Sequence, residues 1–189
     1  MATRHEREFE QDHGHDAAAA AAAHRRLGLL PPGTPAPPWS TTDWFNHDGA
    51  PLQPEALRGR VIVLHAFQML CPGCVHHALP QAERLREAFA PEDVALIGLH
   101  SVFEHHAVMT PAALAAFMHE NRIRYPVAVD APAADPGDPL PQTMRRYAFR
   151  GTPSLVLIDR RGHLRRHGFG AEADMVLGAA IAALVMEAH

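Results

Sequence analysis

Lysine is absent from this chain of 189 residues: all 17 basic residues are arginine, set against 21 acidic ones, for a formal net charge of −4. Schiff-base and lysine general-base chemistry are therefore excluded. The mildly acidic balance gives no general attraction to a phosphate backbone, so no nucleic-acid partner is expected. No stretch approaches the ~20 consecutive apolar residues of a spanning helix, and no membrane association is expected. No export signal is expected either. Residues 1–16 are rich in Glu, Asp and His, and the Ala17–Ala23 run is followed by Arg25 and Arg26, whereas a secretory leader places basic residues first and a Leu-rich run second. A cytoplasmic location is the expectation.

Hydrophobic residues at 47% and charged ones at 20% are globular values. The length fits one domain with a short extension. Fifteen histidines are many, but alanine, glycine, proline and arginine are abundant too, so the histidine count alone identifies no chemistry.

Residues 1–32 read as an acidic tail followed by an Ala-rich helix from Asp16, its N-cap, to Leu27, with Gly28 as the stop, all outside the core formed by residues 33–189. The Pro31–Pro38 stretch is a stiff connector. Arg60–Phe67 (RVIVLHAF) and Val94–Leu99 are continuous apolar runs that suit strands buried on both faces. Between them, Cys74–Phe89 has helical spacing. Thr110-Pro111 opens a second helix to about Asn121. Pro126–Asp130 reads as a short strand, Ala131–Pro141 as a proline-rich loop and Gln142–Tyr147 as a short helix. Ser154–Ile158 and His163–His167 flank Asp159–Gly162 as a hairpin, and Ala171–Glu187 is a closing helix. Alternation of strand and helix predicts an α/β domain with right-handed crossovers, a parallel sheet and an antiparallel hairpin at its end.

The two cysteines form Cys71-Pro72-Gly73-Cys74, after a buried strand and at the start of a helix. A thiol at a helix N-terminus faces unpaired N–H groups and the positive end of the dipole, which favours thiolate. Thiolate is the nucleophile of disulfide exchange, so Cys71 could attack a substrate disulfide and Cys74 release it. The same spacing is half of a zinc site, but there is no second cysteine pair, and His76 and His77 follow too closely for standard finger spacing. An inert buried pair is the third reading.

Cys71–Cys74 after VIVLHAF, with Gly151-Thr152-Pro153 before SLVLID, resembles the thioredoxin superfamily. The lead-in PGTPAPPW and HDGAPLQPEALRGRVIVLHAF resembles its redoxin branch, the TlpA/ResA-type thiol–disulfide oxidoreductases related to the alkyl-hydroperoxide-reductase family. The resemblance spans about Gly33–Glu187. It implies a thioredoxin-like fold with a central mixed sheet flanked by helices, and a cis proline at Pro153 facing the cysteines. By the same resemblance Thr152, Pro153, Pro72 and Gly73 contact substrate, and the redox-active Cys71–Cys74 disulfide takes the place of any cofactor. The partners implied are a protein or small-molecule disulfide and an electron-donating reductase system.

Departures from the family pattern matter. Leu70 replaces the tryptophan that usually precedes the first cysteine, and the Pro-Gly order is reversed relative to thioredoxin. His65 stands where thioredoxin carries a buried acid, either as a proton shuttle for Cys74 or as a neutral core histidine with both nitrogens bonded. Glu104 falls near the place of an active-site glutamate in the TlpA/ResA-type reductases, or is an exposed loop residue. His100, His105 and His106 could gather with His76 and His77 around a metal. Trp39 and Trp44 are expected to pack the lead-in on the sheet.

Three functions follow. The first is a thiol–disulfide oxidoreductase reducing disulfides or oxidised thiols. The second is a thiol-dependent peroxidase with antioxidant activity, against which the key peroxidase positions are Leu64 and Gln68 upstream of Cys71, and Phe67 and Cys71 upstream of Cys74. The third is a non-enzymatic metal-binding module.

Overall fold

Every residue of Val61–Phe67 is buried, as a run without polar alternation requires of a strand covered on both faces. In the computed structural model, which describes residues 19–187, this strand (β2) is one of six. The others are β1 (Thr41–Phe45), β3 (Val94–His100), β4 (Val127–Asp130), β5 (Ser154–Ile158) and β6 (Leu164–Phe169). They form one sheet in the order β1-β4-β3-β2-β5-β6. The pairs β2–β3 and β3–β4 are parallel, whereas β1–β4, β2–β5 and β5–β6 are antiparallel. The sheet is thus mixed and thioredoxin-like. The predicted tail and the Asp16 cap lie outside the described residues.

Alternation along β2 divides the core. Val61, Val63 and Phe67 face one layer, where they meet Leu79, Ala82, Leu85, Leu177 and Ile181. Ile62, Leu64 and Ala66 face the other, with Trp39, Met144 and Tyr147. The helices that flank the sheet are α1 (Leu79–Ala88), α2 (Pro111–Glu120), α3 (Gln142–Arg146) and α4 (Asp174–Met186). The Thr110 hydroxyl caps α2 by accepting the Ala113 N–H at 3.2 Å. Asp130, at the end of β4, accepts the Thr143 and Met144 N–H groups at 2.8 and 2.9 Å and so caps α3 from a neighbouring element.

Two elements differ from the sequence expectation. β1 was unmarked, because TTDWF has no apolar run and lies half exposed at the sheet edge. Leu29 belongs to the core rather than outside it: it is 4% exposed and packs in the helix α4 layer. Gly28, with φ of +66°, ends helical residues 19–26 and turns the chain inward. The buried Arg165 side chain then ties this segment down, donating to the Leu30 carbonyl at 2.7 Å, to Asp159 at 3.3 Å and to Glu187 at 2.5 and 2.7 Å.

Candidate active site

β2 delivers the chain to Cys71 at its C-terminal end. Residues 72 and 73 begin the helix, and Val75 N–H closes its first turn on the Cys71 carbonyl at 3.1 Å. Cys74–Ala78 is a π-helical turn, with Leu79 N–H reaching back five residues to the Cys74 carbonyl. Pro80 explains the wide turn, since proline donates no N–H and its ring crowds the carbonyl four residues earlier.

Both cysteines are free thiols. They differ in environment: Cys71 is half-buried, whereas Cys74 is fully buried. The Cys74 N–H donates to Cys71 Sγ at 3.4 Å, and the Cys71 thiol donates to the Thr152 carbonyl at 3.4 Å. Burial, followed by the hydrogen bond to Cys71, pushes the Cys74 thiol up to about 12, although hydrogen bonding from the Gln68 main chain and Thr152 pulls it partway back.

The Thr152–Pro153 peptide bond is cis. Gly73 faces that proline so closely that a Cβ at Gly73 would lie 3.3 Å from Pro153 Cδ and 4.0 Å from Cys71 Sγ. The cysteine turn and the Gly151–Pro153 segment therefore form the two walls of one cleft, and Pro72 stands exposed at its rim.

His65 is buried on the strand face that it shares with Val63 and Phe67. Its ring stacks on Phe67, with centroids 5.5 Å apart, and meets Tyr125 edge-on at 5.3 Å. Neither ring nitrogen has a hydrogen-bond partner, in contrast to the bonded core histidine considered above. Burial lowers its pKa to about 4, so the ring is neutral at physiological pH. A cavity of about 10 Å³, lined by His65, Ala78, Gln81, Pro153, Ser154 and Glu172, connects the histidine with the back of Pro153. That volume is about one water position.

Glu104 is exposed on the loop between β3 and α2, and none of the groups acting on Cys74 is this carboxylate. The predicted histidine cluster does not assemble. His100 is 1% exposed, whereas His76, His77, His105 and His106 are on the surface. Among the described residues no group of three or more His, Cys, Asp or Glu side chains is placed to hold a metal ion, and no helix there is long and apolar enough to cross a membrane. The exposed rim of the cleft is Leu70, which the sequence marked as a departure from the family pattern, with Arg150 and Phe169, which it did not mark. Arg150 and Phe169 lie far apart in the chain and carried no linear signal.

A family model described as redoxin matches residues 31–179. Among solved structures, a thioredoxin-like superfamily protein is 51% identical and superposes with a TM-score of 0.79, covering 82% of this chain and 99% of its own. A thiol-disulfide isomerase from Corynebacterium glutamicum is 48% identical, with a TM-score of 0.76 over 81% of this chain and 98% of its own. No curated protein matches the chain.

Proposed function

The chain belongs to the redoxin family of the thioredoxin superfamily and is a thiol–disulfide oxidoreductase, and we propose that it reduces disulfides through Cys71 and Cys74. One observation carries this assignment of roles: the half-buried Cys71 sulfur accepts the Cys74 main-chain N–H, while the Cys74 thiol is sealed and held protonated. Cys71 thiolate attacks one sulfur of the substrate disulfide, forming a mixed disulfide and releasing the first substrate thiol. Cys74 then loses its proton and attacks Cys71 Sγ. The Cys71–Cys74 disulfide forms, the second substrate thiol leaves, and two electrons have passed to substrate.

The buried Cys74 proton needs an acceptor. His65 is the group we assign, because it is neutral and unpartnered and shares a cavity the size of one water with the back of Pro153. Thr152, Pro153, Pro72 and Gly73 line the path of the substrate chain. A reducing compartment, with a reductase system to restore the dithiol, sets the direction.

The test is trapping. Cys74→Ser is expected to accumulate a covalent adduct with a peptide disulfide, visible as a mass increase removed by dithiothreitol, whereas Cys71→Ser forms none and does not turn over. Normal turnover by Cys71→Ser would refute the assignment. The peroxidase reading gains nothing from Leu64 and Gln68, which offer neither of its key side chains.

A further inference from the structure

Three features at the rim of the cleft have no part in the exchange chemistry. Leu70, next to Cys71, is 55% exposed, and Phe169 is 48% exposed. Phe169 pairs with Ser154 across β5 and β6, and a Cβ at Gly151 would lie 3.1 Å from its ring. Gly170 N–H donates to the Pro153 carbonyl at 2.9 Å. The ring therefore stands beside the segment that walls the thiols.

Above that ring lies a cation. The Arg150 guanidinium is 5.1 Å from the Phe169 centroid. Among the described residues it makes no ion pair with a carboxylate, in contrast to Arg84, Arg86, Arg145, Arg160, Arg165 and Arg166. Glu172, the carboxylate that follows β6, is taken up by Arg166 at 3.0 and 2.7 Å. Arg150 and Phe169, with Tyr147 and His167, line an open depression of about 380 Å³.

Stacking on an aromatic face restrains the guanidinium while leaving its N–H edge free for a planar oxyanion. Arg150 is two residues from Thr152, whose carbonyl accepts from the Cys71 thiol, so the two backbones are separated by at most roughly 7 Å. The cation is thus carried by the same segment of chain that meets the Cys71 sulfur.

We propose that Arg150, seated on Phe169, is a specificity-determining contact that selects disulfides carrying an acidic residue within two positions of the reactive cysteine. The inference rests on the oxidoreductase reading and names the substrate class of that site. Arg150 moves no proton or electron; it binds a carboxylate beside the exchange.

The test compares three disulfide peptides identical except for a Glu, Gln or Arg next to the cysteine, using the full chain. Wild-type kcat/KM is expected to favour Glu over Gln by roughly three- to fivefold, as an exposed ion pair allows. The difference should lie in KM and shrink at 1 M salt. Arg150→Gln should level the three peptides, and Arg150→Glu should reverse their order. Equal turnover of all three by the wild type, or an acidic preference kept by Arg150→Glu, overturns the proposal while leaving the oxidoreductase reading intact. Failure to reduce even the Gln peptide overturns both.

Discussion

The main-chain N–H of Cys74 points at the sulfur of Cys71 from 3.4 Å, while the Cys74 thiol is closed off from solvent. In the proposed exchange Cys74 supports the first nucleophile with its backbone and acts afterwards with its side chain. Burial is what enforces the order, because it makes thiolate costly at Cys74. A mechanism in which either cysteine could attack first would need two similar environments, and these are not similar.

Resolution of the mixed disulfide should report how the Cys74 proton leaves. A thiol pushed up to about 12 is almost wholly protonated at neutral pH, and its thiolate fraction rises tenfold per pH unit. If His65 takes the proton, stopped-flow resolution by the wild type is nearly flat between pH 6 and 8, because the ring is already neutral there. His65→Leu should restore a slope close to tenfold per unit. A steep slope in the wild type would remove His65 from the mechanism.

The buried histidines make stability sensitive to acid. Burial lowers both His65 and His100 from 6.5 to about 4. Between those values the unfolded chain binds protons that the folded chain refuses. Stability is therefore complete above the unfolded pKa and is lost as pH falls toward 4, by about 3 kcal/mol for each histidine. Urea unfolding at pH 7 and pH 4.5 should show the loss, and His100→Leu should reduce it by about half. The same substitution should cost no more than about 1 kcal/mol at pH 7, since neither ring nitrogen has a partner to lose.

Arg165→Met should destabilise the fold by about 3 kcal/mol, measured by denaturant midpoint, because it strands Asp159 and Glu187 without their shared cation. A shift below about 0.5 kcal/mol, as for an ordinary surface change, would show that the cluster does not hold the Leu30 segment and α4 together.

Gly73→Ala places a methyl group 3.3 Å from Pro153 Cδ. The backbone at Gly73 is ordinary right-handed helix, with φ of −62°, so stability should change by less than about 1 kcal/mol. The two walls of the cleft must separate slightly, and kcat/KM should fall by roughly tenfold. Unaltered kcat/KM would show that the close approach is not needed.

How much of this was visible in the residues depended on how local the signal was. RVIVLHAF marked β2 because a strand buried on both faces needs no alternation, and the cysteine pair marked itself by its place between that strand and a helix. β1 left no mark, as its half-exposed edge tolerates Thr and Asp. The cis bond at Pro153 was legible only through resemblance, since the local sequence permits either isomer. The ten-residue loop holding Glu104 was too long to place by spacing, and the structure leaves that side chain in solvent. His65 was recognised, but its missing partners were not, because they depend on Phe67, Tyr125 and the β3 backbone packing around it. Arg150, in the loop before β5, and Phe169, at the end of β6, are brought together by the β5–β6 register, a relation no linear motif records.

Dithiol exchange by Cys71 and Cys74 is tested by an equilibrium titration of the purified full chain in a dithiol–disulfide buffer, reading the state of the pair by mass spectrometry. A reversible two-electron couple is expected, with a potential nearer to ~ −270 mV than to ~ −120 mV, as reduction of disulfides requires. A potential near the upper value would contradict the reducing direction, and failure to form the Cys71–Cys74 disulfide at any potential would contradict the dithiol mechanism itself.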